Sequence, residues 1–250
     1  MSEFWKILNQ TDGGEILDVA SGNGQFIGIL QDNLRSFKQI TGLDIDGSAI
    51  EEARGKFDKD QFTFLQGNSM NIPFPGDHFD TVSLSKGLHH MQDVRQSLQE
   101  MLRVLKKTGL MIISEMYSDG LTEPQKSHLY YHHLRVEVDR YRGISHNYTF
   151  RKSEILDLVQ PLNLKDITIH DYTENPGIME NAGEYINRME LWKEYFRDSD
   201  QELEMHVKIE ALKQRFKEVG LARTPQLVIM GYKRESEEEE VPSSWFQVPG

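Results

Sequence analysis

The chain has 250 residues, 38% of them hydrophobic, 27% charged and none cysteine. One substantial core is within reach of that length, while disulfides, thiolate metal sites and cysteine nucleophiles are excluded. The formal charge is −12, and −7 without the five glutamates at 235 and 237–240, so no basic stripe stands out to neutralise phosphates and nucleic acid is not expected as a partner.

No apolar run is long enough to span a bilayer, and the opening Met-Ser-Glu-Phe-Trp-Lys lacks the basic and apolar regions of a signal peptide. The expectation is a cytoplasmic protein with no membrane partner. Phe4, Trp5 and Leu8 cover one helical face before the Thr-Asp-Gly-Gly breaker at 11–14. Residues 15–19 predict a strand that runs into a small-residue turn, followed by a helix to about 34 that carries Phe26, Ile27 and Leu30. A second strand follows at 39–44 and then a helix over 48–57 with Ser48 as its N-cap. Short strands at 62–65 and 79–84, a helix at 93–105 and a strand at 110–115 complete the regular part, with Lys107-Thr108-Gly109 as the link between the last two. This alternation predicts an α/β fold with a doubly wound, mostly parallel sheet.

The rhythm then breaks. Tyr130, Leu134, Val138 and Tyr141 mark a helix within 120–142, and another helix at 153–159 precedes a strand at 165–172. Two further helices, one with Tyr185, Met189, Trp192 and Phe196 on a face and one with Leu203, Leu212, Phe216 and Val219, lead to a last strand at 226–232. The organisation expected is a single domain over 1–234 with helical insertions at about 117–150 and 174–223. Each insertion is apolar on one face, and together they are expected to form a helical cap. Residues 235–250 read as an acidic, mobile tail with Trp245 and Phe246 as a docking element.

In parallel α/β sheets ligands bind beyond the carboxyl ends of the strands. Here the first strand ends at Asp18 and Ala20-Ser21-Gly22-Asn23-Gly24, the second at Asp44, the third at Gln66-Gly67-Asn68-Ser69 and the fourth at Ser85-Lys86-Gly87-Leu88-His89-His90. Gly22 and Gly24 remove Cβ atoms where a ligand would lie against the main chain, and the N–H groups of the following helix face the same space. Asp44, twenty residues after Gly24, is placed to accept from both hydroxyls of a ribose. A dinucleotide fingerprint needs a third glycine where this chain has Ile27, which argues against a nicotinamide or flavin site.

The series ILDVASGNG, GLDI, LQGNSMNIPFPGDHFD, LHH and EMLRVLKKTGLMIIS, within residues 15–116, resembles the class I S-adenosylmethionine-dependent methyltransferases. The resemblance implies a seven-stranded Rossmann-like methyltransferase fold whose last strand is antiparallel. It also implies S-adenosylmethionine as cofactor and S-adenosylhomocysteine as product. By resemblance, the loop of Ala20, Ser21, Gly22 and Gly24 meets the methionine part, with Asp18 ordering the loop near the amino group. Asp44 holds the ribose, Ile45 packs on the adenine, Asn68 and Ser69 face the adenine edge, and the main chain near Ser85 meets the methionyl ammonium. Two positions depart from the family's common pattern: Ala20 replaces a glycine and Asn68 an aspartate. Alanine suits a turn that does not need positive φ, and the Asn68 carbonyl still accepts from an adenine amino group.

Methyl transfer from a sulfonium is an in-line displacement with a good leaving group, so a base is needed only where the acceptor must lose a proton. His89 and His90 follow the fourth strand and are the candidates for that role, with packing as the other reading for either one. His132 and His133, in the first insertion, are candidates for positioning an acceptor. His128 and His132 have helical i, i+4 spacing, also found in metal sites, but no third ligand at fixed spacing accompanies them, so no metal is assigned. Tyr130, Tyr131, Tyr141 and Tyr148 either surround a cationic group or belong to the core. The function expected is methyl transfer to an O or N atom of a small-molecule acceptor. The alternative is a non-catalytic S-adenosylmethionine- or S-adenosylhomocysteine-binding sensor or partner subunit, whose cofactor motifs would be identical. Homo-oligomerisation is left open.

Overall fold

Strand residues of alternating parity supply the two faces of the sheet. A computed structural model describes residues 3–57 and 59–235; the stretch 236–250, with Trp245 and Phe246, lies outside them. The chain divides into two compact units, one of residues up to Glu115 with Lys152–Tyr172 and the stretch from Leu227, the other of residues 116–151 and 173–226. Where the sequence reads as one domain with two insertions, the insertions together make a unit with its own core.

In the first unit, α1 (Glu3–Leu8), β1 (Glu15–Val19), α2 (Gln25–Asn33), β2 (Gln39–Asp44), α3 (Gly47–Lys56), β3 (Phe62–Gln66), β4 (Phe79–Ser85), α4 (Val94–Val104) and β5 (Leu105–Met116) follow one another. After 116–151 come α6 (Lys152–Val159) and β6 (Lys165–Tyr172), and β7 (Gln226–Tyr232) follows the second unit's last helix. The seven strands form one sheet in the order β3-β2-β1-β4-β5-β7-β6. β1 lies parallel to β2 and β4, with Asp18 opposite Gly42 on one side and Ser83 on the other. β2–β3 and β4–β5 are also parallel.

β7 runs the other way. The Lys233 N–H donates to Gly109 O at 3.0 Å while the Thr108 N–H donates to Lys233 O at 3.1 Å. Two residues thus oppose one, next to the end of β7 and near the start of β5, with Thr108 at φ 61°, the pattern of a bulge in an antiparallel pair. Lys107-Thr108-Gly109 therefore lies inside β5, which starts five residues earlier than expected. Its pairing slips from Phe79 opposite Leu105 to Thr81 opposite Leu110. A bulge recruits the same residue types as a turn, which is why the stretch looked like a link.

Ile16, Ile40, Phe64, Ile112, Val228 and Met230 pack with Phe4 and Leu8 of α1, Ile27 and Leu30 of α2 and Ile50 of α3 in one buried cluster. Gly42 sits within that layer: a Cβ there would come 2.7 Å from the Phe64 ring and 2.8 Å from Ser21 Oγ. The N-cap of α3 is Asp46, not Ser48. Asp46 Oδ1 accepts from the Ser48 N–H at 2.9 Å, the Ala49 N–H at 3.4 Å and the Ser48 hydroxyl at 2.8 Å. Both residue types cap helices, and the extended backbone of Asp46 (ψ 103°) selects it.

The second unit contains α5 (Glu123–Tyr141), α7 (Gly183–Tyr195) and α8 (Glu202–Val219). Gln125 Oε1 accepts from the Thr122 N–H at the start of α5, and the core is Tyr131, Leu134, Val138, Met189, Trp192, Phe196, Met205, Ile209, Leu212, Phe216 and Leu221. The expected Leu134, Val138, Met189, Trp192, Phe196, Leu212 and Phe216 all lie in this core, and the stripes of α5 and α8 differ from expectation at Tyr130, Tyr141 and Leu203. Tyr131 is buried while Tyr130 and Tyr141 are exposed, and Met205 and Ile209 are buried while Leu203 is exposed. Leu129, His132, Val136 and Asp139 of α5 are buried as well, so α5 is covered on more than one side and no single 3.6-residue stripe marks it. Tyr131 stacks on Trp192, whereas Tyr130 and Tyr148 lie under the guanidinium groups of Arg215 and Arg140. No helix among the described residues is long and apolar enough to cross a membrane.

Candidate functional site

After β1 the chain passes through three left-handed residues, Ala20 (φ 55°), Gly22 (φ 51°) and Gly24 (φ 82°), before α2 begins. The positive φ of Ala20 overturns the expectation that alanine serves here because the turn avoids that region. An L-residue so placed costs roughly 1–2 kcal/mol, and the loop's anchors hold it: the Ser21 N–H donates to Leu43 O at 3.1 Å, the Gly22 N–H to Asp44 Oδ2 at 2.7 Å and the Gly24 N–H to Ser21 O at 2.9 Å. A Cβ on Gly22 would meet nothing within 4 Å, so this face of the loop lies open to a ligand. Ala20→Gly is expected to raise stability to urea by about 1 kcal/mol. An unchanged or lower midpoint would show that Ala20 is not held left-handed.

Asp18 and Asp44 share a face of the sheet, because Asp18 is opposite Gly42 and Asp44 lies two residues further along β2. Asp44 accepts from Gly22 through Oδ2 and, at 2.9 Å, from the Asp46 N–H through Oδ1, tying the end of β2 to the glycine loop. A carboxylate has about four lone-pair sites, so acceptor capacity is left for hydroxyl groups. Next to it Ile45 is 71% exposed, an apolar side chain presented at a strand end and suited to cover a flat apolar ring. Asp18 is buried and accepts from the Ser83 hydroxyl at 2.7 Å. Burial pushes its pKa up to about 7 despite that hydrogen bond, and the charge of Asp44 adds to the rise.

The other expected cofactor residues fall into place unequally. Asn68 is exposed, and its Oδ1 accepts from the Met70 N–H at 2.9 Å in a local turn. The Ser69 hydroxyl pairs with that of Ser97 on α4 at 2.9 Å. Ser21 Oγ is buried with no hydrogen-bond partner among the described residues and lies against Gly42. Its side chain is thus turned toward the sheet, leaving its backbone in the loop. Ser85 stands opposite Ser114, and the Lys86 N–H donates to Ser114 O at 2.7 Å.

His89 is buried in the short 3-10 turn Leu88–His90. Its Nδ1 is 2.8 Å from Glu115 Oε1, and Glu115 Oε2 accepts from the Leu88 N–H at 2.8 Å. With Nδ1–H donating to the carboxyl group, Nε2 carries the lone pair a base needs. His90 is half-buried, its ring 4.3 Å from that of His89. Glu115 was missed in the sequence, although a glutamate in the strand Leu-Met-Ile-Ile-Ser-Glu-Met, where burial is expected, was the available signal.

In the second unit His128 bonds through Nδ1 with the Thr224 hydroxyl at 3.0 Å. His133 Nε2 meets the Thr149 hydroxyl at 2.8 Å, its ring lies edge-on to Tyr148, and burial pushes its pKa below the usual histidine value. His132 Nε2 is 3.3 Å from His146 Nε2, and His146 Nδ1 is 2.7 Å from Asp139 Oδ2. Adjacent helical positions point about 100° apart, so the two histidines expected to act together have different surroundings.

The family described as Methyltransferase domain matches residues 17–113. A demethylmenaquinone methyltransferase from Listeria welshimeri is 32% identical over 110 residues, which are 43% of this chain and 47% of that protein. The chain thus spans about half the length of the curated relatives it matches. Among solved structures, the YcgJ protein of Bacillus subtilis superposes with a TM-score of 0.62 at 19% identity, covering 93% of this chain and 97% of that one. A Haemonchus contortus phosphoethanolamine-type N-methyltransferase, solved with phosphomonomethylethanolamine and S-adenosylhomocysteine, gives a TM-score of 0.56 at 16% identity over 92% of this chain and 51% of that one. At these identities the structural likeness is one of fold.

Proposed function

We propose that this chain, which carries a methyltransferase domain over residues 17–113, binds S-adenosylmethionine at the carboxyl ends of β1, β2 and β4. It then transfers the methyl group to an oxygen or nitrogen of a small-molecule acceptor. The observation that carries the reading is the bond between the Gly22 N–H and Asp44 at the mouth of an open glycine loop, with exposed Ile45 alongside. Asp44 takes the ribose hydroxyls, Ile45 and Asn68 the adenine, and the backbone of Ala20–Gly24 the methionine part near Asp18. In the reaction an acceptor lone pair forms the new bond to the methyl carbon as the sulfur–carbon bond breaks, its electron pair staying on sulfur. Where the acceptor must lose a proton, His89, turned by Glu115, is the base. His90, beside His89, is assigned to positioning the acceptor. Demethylmenaquinone is the acceptor in the relatives' name, and the match to them extends over 110 residues, 43% of this chain, so only the class of acceptor is assigned here.

The test is calorimetric titration with S-adenosylmethionine and S-adenosylhomocysteine, with NAD as the control. Both sulfur ligands should bind and raise the melting temperature, because a ligand selective for the native state stabilises it. Asp44→Ala should weaken binding by roughly 1–3 kcal/mol, about 5- to 150-fold, with the fold retained. Heat from NAD and none from either sulfur ligand would sink the reading.

A further inference from the structure

We propose that His132 and His146 form the core of a site for a divalent late-transition-metal ion such as zinc, with Asp139 holding His146 in the ligating tautomer. The two Nε2 atoms are 3.3 Å apart, and both side chains are buried. Two imidazole nitrogens on one tetrahedral zinc, each at about 2.05 Å, stand about 3.3 Å from each other. The rings cross at 75° with centroids 4.9 Å apart. An aligned N–H···N bond of the observed length would separate the centroids by about 5.6 Å, whereas two rings converging on one ion bring them to about 5.2 Å. The observed geometry is nearer to convergence.

The support around His146 is that of a metal ligand. Its Nδ1–H donates to Asp139 Oδ2 at 2.7 Å, which directs the Nε2 lone pair toward His132. Asp139 is also approached by Arg135 Nε at 3.4 Å, which fixes the carboxylate. The turn after α5 is pinned by the Ile144 N–H donating to Asp139 O and by Arg140 Nε donating to His146 O at 2.7 Å. That turn brings a residue seven positions beyond Asp139 back against the helix. Imidazole pairs suit zinc, copper and nickel rather than magnesium or calcium, which prefer oxygen. Two histidines leave coordination positions for water or an acceptor heteroatom.

The site is tested without any methyl-transfer assay, so its failure and that of the methyltransferase reading are separable. Full-length protein is stripped with a chelator and titrated with Zn²⁺ by calorimetry and with Co²⁺ by visible absorption, in millimolar Mg²⁺ to mask acidic surface sites. One saturable ion per chain is expected. His132→Ala and His146→Ala should each lower affinity at least a hundredfold, Asp139→Asn by about 10- to 100-fold, and His128→Ala should leave it unchanged. X-ray absorption on zinc-loaded wild-type protein should show imidazole nitrogen near 2.0 Å, a readout that does not depend on any variant folding. No saturable binding by the wild type, no imidazole scattering, or wild-type affinity in both His132→Ala and His146→Ala would each overturn the site and leave a hydrogen-bonded histidine pair.

Discussion

Asp18→Asn is expected to stabilise the folded chain by as much as about 4 kcal/mol at pH 8 and, at the same time, to abolish binding of S-adenosylmethionine. Asp18 is buried, and its pKa stands near 7 against 3.8 for an ordinary aspartate, a difference of about three units at about 1.4 kcal/mol each. Between pH 3.8 and 7 the unfolded chain has this carboxyl ionised while the folded chain keeps its proton, so the folded state binds more protons and stability falls as pH rises. Above pH 7 the carboxylate is charged in both states and the full penalty of burying it remains. Asparagine keeps an acceptor for the Ser83 hydroxyl and carries no charge. Urea unfolding at pH 5 and pH 8 measures the effect: the variant's advantage should grow between the two. A variant no more stable at pH 8 would mean that Asp18 is solvated in the folded chain.

The same carboxyl links cofactor binding to pH. A cation arriving beside Asp18 favours its ionised form and draws off the proton. Wild-type affinity should therefore rise with pH up to about 7, and titrations below pH 7 in two buffers of different ionisation heat should reveal proton release. In Asp18→Asn neither signal should appear. A stability gain with wild-type cofactor affinity would place the methionyl ammonium elsewhere.

Glu115 should produce the other large effect, because one carboxyl group satisfies both the Leu88 N–H and His89 Nδ1 in a buried setting. Glu115→Ala leaves two buried polar groups unpaired and opens a cavity, and a loss of roughly 2–5 kcal/mol is expected in chemical denaturation. Glu115→Gln is the more informative change for function. Its carbonyl can still accept from Leu88, but its amide donates toward His89 Nδ1 and so favours the tautomer with hydrogen on Nε2. With His89 as base, kcat should fall by about 10²- to 10⁴-fold on an acceptor that must lose a proton, with KM and cofactor affinity little changed. Wild-type kcat and pH profile in a folded Glu115→Gln protein would leave His89 a packing role alone.

The strand ends were legible in the sequence because they rest on local rules. Short strand-forming stretches, Glu15–Val19 with Asp18 near its end and Gln39–Asp44, state both the strand and its exit, and glycine at Gly22 and Gly24 marks left-handed turn positions by local backbone rules. The order of elements and the mostly parallel sheet followed from the same alternation. What depended on neighbours far along the chain was not legible. The full buried face of α5 and α8 is set by how many sides the packing covers, so Tyr131 and Met205 replace Tyr130 and Leu203 in the core. Lys107-Thr108-Gly109 is a bulge only because Lys233 is there to pair with it. The left-handed Ala20 is imposed by anchors at Leu43 and Asp44 on the next strand. The carboxyl that turns His89 arrives from β5, 26 residues on, and the imidazole that meets His132 arrives from a turn 14 residues on. Hydrophobic period and turn chemistry are properties of a few consecutive residues, whereas the partner of a buried polar group is decided by which strand or turn the folded chain brings within 3 Å of it.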